Sequence, residues 1–174
     1  AVDANGQTTL RAAIMEANSL EGEVTIFLPT GTYTLARPGA DEDGARDGDL
    51  DVTGHINIIG AGAANTTIDA ANLDRLIHVL PGATVQLSDL TLTRGMAVDG
   101  RHGGGSLNEG DLILKNVVVT DNRATFGGGV SNAADASLTL VESIVSANTA
   151  ETDGGGLFNA SNGIVVISGS EFSS

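Results

Sequence analysis

Gly103-Gly104-Gly105-Ser106-Leu107-Asn108, Gly127-Gly128-Gly129-Val130-Ser131-Asn132 and Gly154-Gly155-Gly156-Leu157-Phe158-Asn159 are three copies of one pattern, Gly-Gly-Gly-x-x-Asn. Each copy leads into a pair of apolar residues two apart: Leu112/Leu114, Leu138/Leu140 and Val165/Ile167. A period of two places both side chains on one face of a β-strand, so each repeat carries one such strand. Towards the N-terminus the same step is read at Val85/Leu87, Ile56/Ile58 and Ile26/Leu28. The first members fall at 26, 56, 85, 112, 138 and 165, with spacings of 30, 29, 27, 26 and 27.

Repeats of this length, rich in Gly, Asn, Thr and Val and lacking helical periodicity, are too short for propeller blades and lack the helices of ankyrin or tetratricopeptide units. They suit the coils of a single-stranded parallel β-helix, an all-β solenoid of about six coils. Successive coils then lie about 4.8 Å apart and every alignment column becomes a stack. The Leu, Ile and Val columns form the core. Asn108, Asn132 and Asn159 form one candidate amide ladder, and Asn122 and Asn148 another, each side chain bonding to the next coil. The same residues also tolerate left-handed turn geometry, and the two roles are compatible.

The chain has 174 residues, 41% of them hydrophobic, enough for one domain with a continuous core. Acidic residues number 22 against 8 basic, a formal charge of −14 that repels nucleic acid and anionic membranes. Cysteine is absent, so thiol chemistry and disulfides are excluded. There is no apolar run long enough to span a membrane. Gly60-Ala61-Gly62-Ala63-Ala64 superficially resembles a dinucleotide fingerprint. The β-branched, turn-like Asn65-Thr66-Thr67-Ile68 that follows opens no helix, so the nucleotide reading fails.

Leu10, Ala13, Ile14 and Ala17 recur at helical spacing within Thr8 to Leu20. Thr8 or Thr9 is placed to cap this helix and Gly22 to end it. An amphipathic helix before the first coil serves as a lid over its open end. The expected organisation is a cap over residues 1–22 and the β-helix over 23–174.

Thr8-Thr9-Leu10-Arg11-Ala12-Ala13-Ile14, followed by Phe27-Leu28-Pro29-Thr30-Gly31-Thr32-Tyr33-Thr34-Leu35, resembles bacterial surface proteins with the CSLREAI motif. The likeness extends through Gly48-Asp49-Leu50-Asp51-Val52-Thr53 and His78 to Val85 into the glycine-rich coils. That family is similar in turn to polymorphic outer-membrane proteins with Gly-Gly-rich repeats. The resemblance implies a right-handed β-helix, secreted or on the cell surface and often part of a longer polypeptide, with no catalytic residues to carry over. Thr8, Thr9 and Ala12 stand where the motif has Cys, Ser and Glu.

Two stretches carry candidate chemistry. Asp41, Asp43, Asp47, Asp49 and Asp51 crowd an insertion between the first two coils, where carboxylates alternating with glycine could gather around calcium. The EF-hand pattern is not matched, and a solvated acidic loop that prevents edge pairing is the alternative. Arg94, Met96, Asp99, Arg101 and His102, with Asp121, Arg123, Glu151 and Asp153 of later coils, stack as a charged face: either an active surface or a set of interleaved ion pairs. His55, His78 and His102 have no metal-site spacing.

Three functional readings result. The first is a non-enzymatic extracellular module, adhesive, spacing or filament-forming. The second is a polysaccharide lyase or glycoside hydrolase, which the absence of Trp and the presence of one Tyr argue against. The third is a calcium-dependent binding module. Because Gly169 to Ser174 supplies no cap after Val165/Ile167, further coils or self-association are expected at that end.

Overall fold

The computed structural model describes residues 9–39 and 43–174. They form an all-β solenoid of parallel strands with one helix at its N-terminal side. One face stacks six strands: β1 (Glu23–Phe27), β4 (His55–Ile59), β7 (Thr84–Ser88), β11 (Asp111–Lys115), β15 (Ser137–Val141) and β19 (Ile164–Ser168). A second stacks β2 (Gly31–Thr34), β5 (Thr66–Asp69), β8 (Thr91–Thr93), β12 (Val118–Thr120), β16 (Ile144–Ser146) and β20 (Glu171–Ser173). The third holds β3 (Leu50–Val52), β6 (Ile77–Val79), β10 (Ser106–Asn108), β14 (Val130–Asn132) and β18 (Leu157–Asn159). A short fourth sheet, β9 (Met96–His102), β13 (Arg123–Phe126) and β17 (Thr149–Asp153), appears only in the later coils. The path from β1 to β19 makes five complete turns and begins a sixth.

Pairing in register turns alternate apolar residues into continuous inward columns. Val24, Ile56, Val85, Leu112, Leu138 and Val165 form one, and Ile26, Ile58, Leu87, Leu114, Leu140 and Ile167 form the next. From Ile56 to Leu140 every member is buried. Burying each such side chain contributes about 1.5–3 kcal/mol. The first coil corrects the sequence reading: Val24, not Ile26, pairs with Ile56, so the Ile26/Leu28 step lies two residues too late. Val24, Ile26 and Leu28 continue one alternation, and a slip of two keeps the same face inward, so the pattern alone cannot choose between registers.

The corners repeat as faithfully as the strands. Asp89, Asn116, Glu142 and Gly169 take the left-handed conformation between the first two faces, and Arg94, Asp121 and Ala147 take it after the second. In the glycine triplet the demand differs by position. Gly127 has φ +64°, whereas a Cβ on Gly128 would lie 2.2 Å from the Thr149 carbonyl oxygen and one on Gly129 2.4 Å from that of Gly156. The first glycine supplies a backbone angle, and the other two let adjacent coils approach. At the end of the pattern, Asn108 Nδ2 donates to Asn132 Oδ1 at 2.7 Å and Asn132 Nδ2 to Asn159 Oδ1 at 2.8 Å. A parallel stack runs from Asn122 Nδ2 to Asn148 Oδ1 at 3.0 Å. Asn108, Asn122 and Asn132 are buried.

The helix α1 spans Leu10–Ala17, shorter than the expected Thr8 to Leu20. Thr9 is its N-cap, its hydroxyl accepting from the Ala12 amide at 3.2 Å; Thr8 lies outside the described residues. Its C-cap is Asn18 rather than Gly22, whose positive φ serves the turn into β1. Asn18 ends the helix because its amide is committed elsewhere. Nδ2 donates to Asp51 O at 2.8 Å and Oδ1 accepts from Thr53 N at 3.0 Å, imitating a neighbouring strand along the open edge of β3. Leu10, Ile14 and Ala17 meanwhile join the core.

Between coils, Arg94 makes a two-pronged ion pair with Asp69. Burial raises the Asp69 pKa, but the Arg94 hydrogen bond, the Ala71 amide and the Arg94 charge outweigh it and hold the carboxyl below its ordinary 3.8. A depressed folded-state pKa contributes stability that is complete above the unfolded value and is lost as pH falls through the folded one. Asp69→Asn should therefore lower the melting temperature at neutral pH and narrow its gap to the parent below about pH 4. Melting curves from pH 2 to 7 check this; a constant gap would remove Asp69 from the acid response.

Candidate functional site

The richest charged cluster lies where the acidic insertion folds back over the outward side of β3, β6 and β10. Gly39 and Gly48 bring the insertion together, the Gly48 amide donating to Arg37 O at 3.1 Å. From α1, the Arg11 guanidinium reaches into the loop and donates to the carbonyls of Ala45 at 3.0 Å, Asp47 at 3.2 Å, Gly48 at 2.5 Å and Asp49 at 2.7 Å. A planar five-donor group is suited to gathering several carbonyls at once. The helix thus shapes the loop as well as covering the core.

The four described aspartates of this stretch do not gather at one point. Asp47 lies 3.9 Å from Arg37. Asp49 Oδ2 is 2.5 Å from Arg75 Nε, an ionic contact without an aligned hydrogen bond. Asp43 and Asp51 converge on His78. Asp41 lies outside the described residues. Asp51 and His78 are register partners on β3 and β6, so their side chains leave the same face. His78 Nδ1 lies 3.3 Å from Asp51 Oδ1 and 3.9 Å from Asp43 Oδ1, and its Nε2 is 2.8 Å from Glu109 Oε2. Asp74 takes the Arg75 amide at 2.8 Å and pairs with Arg101.

The electrostatics follow from this crowding. Burial pushes the Asp49 carboxyl up to about 7, with Arg75 opposing it and Asp51 and Asp74 adding to it. Burial lowers the pKa of His78, but the adjacent carboxylates of Asp51 and Glu109 outweigh this and raise it. His102 is lowered, by burial and then by Arg75. Its ring stacks on Phe126 with centroids 4.7 Å apart, and Phe158 packs edge-on at 5.7 Å. This small aromatic group continues the same side of the solenoid toward the last coil.

Along the charged face proposed as an active surface, the arginines are engaged: Arg94 with Asp69, Arg101 with Asp74, and Arg123 with Glu151 at 3.0 Å. Each pair joins residues about one repeat apart. On the six-stranded face of β1, a groove of about 400 Å³ is lined by Glu23, His55, Asn57, Thr84, Gln86 and Ile113, with no Phe, Tyr or Trp among them. No helix among the described residues is long and apolar enough to cross a membrane.

The chain matches no protein-family model, no curated protein and no solved structure.

The participation of His78, Arg75, Asp74 and Glu109 escapes a reading based on one strand per repeat. The signal that finds them is a second column: Leu50-Asp51-Val52, Ile77-His78-Val79 and Ser106-Leu107-Asn108 align as inward-outward-inward triplets. Alignment of the middle residues sets Asp51 beside His78.

Proposed function

We propose that the chain is a non-enzymatic structural or adhesive β-helix module acting outside the cell or at its surface. The observation that supports this most directly is the use of its charged side chains. Arginines on the candidate catalytic face form inter-coil ion pairs with Asp69, Asp74 and Glu151, and so act as axial staples along a rigid stack. The secreted setting rests on the CSLREAI-like sequence.

Incubation with pectin, alginate, chondroitin and cellulose, with and without calcium, is expected to give no turnover. Cleavage that is lost in Arg101→Gln would replace this reading by a polysaccharide lyase or hydrolase.

A further inference from the structure

One oxygen of Asp43, one of Asp51 and one ring nitrogen of His78 lie within 4.8 Å of one another. The orientation of the imidazole gives that convergence its meaning. Glu109 is a carboxylate and accepts, so its 2.8 Å contact sets the donated proton on Nε2. In the neutral ring Nδ1 then presents a lone pair toward Asp51 Oδ1 and Asp43 Oδ1. Asp51 is fully buried, and while its Oδ2 accepts from the Ala45 amide at 2.7 Å, Oδ1 has no hydrogen-bond donor. A buried carboxylate oxygen facing a nitrogen lone pair and a second carboxylate lacks only a positive centre. Asp43, Asp51 and Glu109 set three carboxylates around the ring, while the neighbouring Asp49 and Asp74 are each paired with an arginine.

We infer that Asp43, Asp51 and His78 form a binding site for a divalent ion of the zinc class, ligated by two carboxylates and Nδ1, with Glu109 orienting the imidazole through Nε2. Calcium seeks six to eight oxygens, which this set does not offer, whereas an imidazole with carboxylates suits zinc and its neighbours. A carboxylate behind a ligating histidine is a recurrent way of fixing its tautomer. The ion ties the insertion to the outward wall of β3 and β6, independently of whether the module is adhesive or structural.

Zinc chloride titrated into the metal-stripped chain at neutral pH should give uptake of a single ion by calorimetry and a rise in melting temperature. His78→Ala should abolish both. Asp43→Ala and Glu109→Gln, at side chains 70% and 38% exposed and so compatible with folding, should each weaken binding about 10–100-fold. Circular dichroism verifies that each variant is folded. Absence of zinc uptake, with nitrogen-15 spectra showing both ring nitrogens of His78 protonated, would overturn the inference in favour of a proton at the same place. Zinc uptake unaffected by the variants, or uptake of calcium alone, would overturn it equally.

Discussion

Gly128→Ala is expected to cost about 4 kcal/mol or more of unfolding free energy. The added methyl would stand 2.2 Å from the Thr149 carbonyl oxygen and 2.5 Å from that of Gly155. Both belong to the backbone of the following coil, so no side-chain rotation relieves the overlap. Relief requires separating the coils, which strains the bonds from the Gly128 amide to Gly154 O and from the Gly129 amide to Gly155 O. The contrasting substitution is Gly100→Ala. Its φ of +85° disfavours a side chain, but its Cβ would meet nothing within 4 Å, and a cost of about 1–2 kcal/mol is expected. Urea unfolding of both variants provides the comparison. Equal losses would show that the approach of adjacent coils at Gly128 is not limiting.

The second large effect is expected at Asn132. Its Nδ2 donates to Asn159 Oδ1 at 2.8 Å and to the carbonyls of Ala136 and Ile164, each at 3.2 Å, while Oδ1 takes Asn108 Nδ2 at 2.7 Å. Asn132→Leu keeps the γ-branched shape but leaves the buried Asn108 amide and the Ala136 carbonyl short of bonds, for a loss of about 3–5 kcal/mol. Asn159 ends the ladder and is exposed, so water can replace its bonds; Asn159→Leu should cost less than about 1 kcal/mol. A similar loss in both variants would mean that the amides serve their local turns and that coupling between coils contributes little.

The solenoid was legible because stacking makes sequence periodicity and spatial adjacency the same thing. Leu112, Leu138 and Val165 share a column for the reason that they share a place in the repeat. Legibility ended where that identity ended. In the first coil, Val24, Ile26 and Leu28 present equivalent choices to a core that recognises only alternation, and the competing register was not distinguishable. The helix was placed correctly, but its end depended on Asn18 finding β3, a contact outside its own sequence neighbourhood. The acidic insertion announced its charge yet not its partners. Asp49 meets Arg75 and Asp51 meets His78 across the insertion, and charge density along the chain contains nothing about which strand the loop will lie against. The arginines were visible as a charged face; their pairing with carboxylates of adjacent coils depends on side-chain direction.

The anchoring of Asn18 and Arg11 at the first turn governs how the stack comes apart from that side. Because each coil touches chiefly the one before and the one after, loss of order spreads like a zipper, beginning where the fewest neighbours hold. At β3 the edge is occupied by a side-chain amide and the adjoining loop is gripped by a guanidinium. Loss of order from the helix side therefore has to release the Asn18 amide and the Arg11 grip before it reaches the coils behind, and tension applied at the helix meets these two clasps before it meets the core columns.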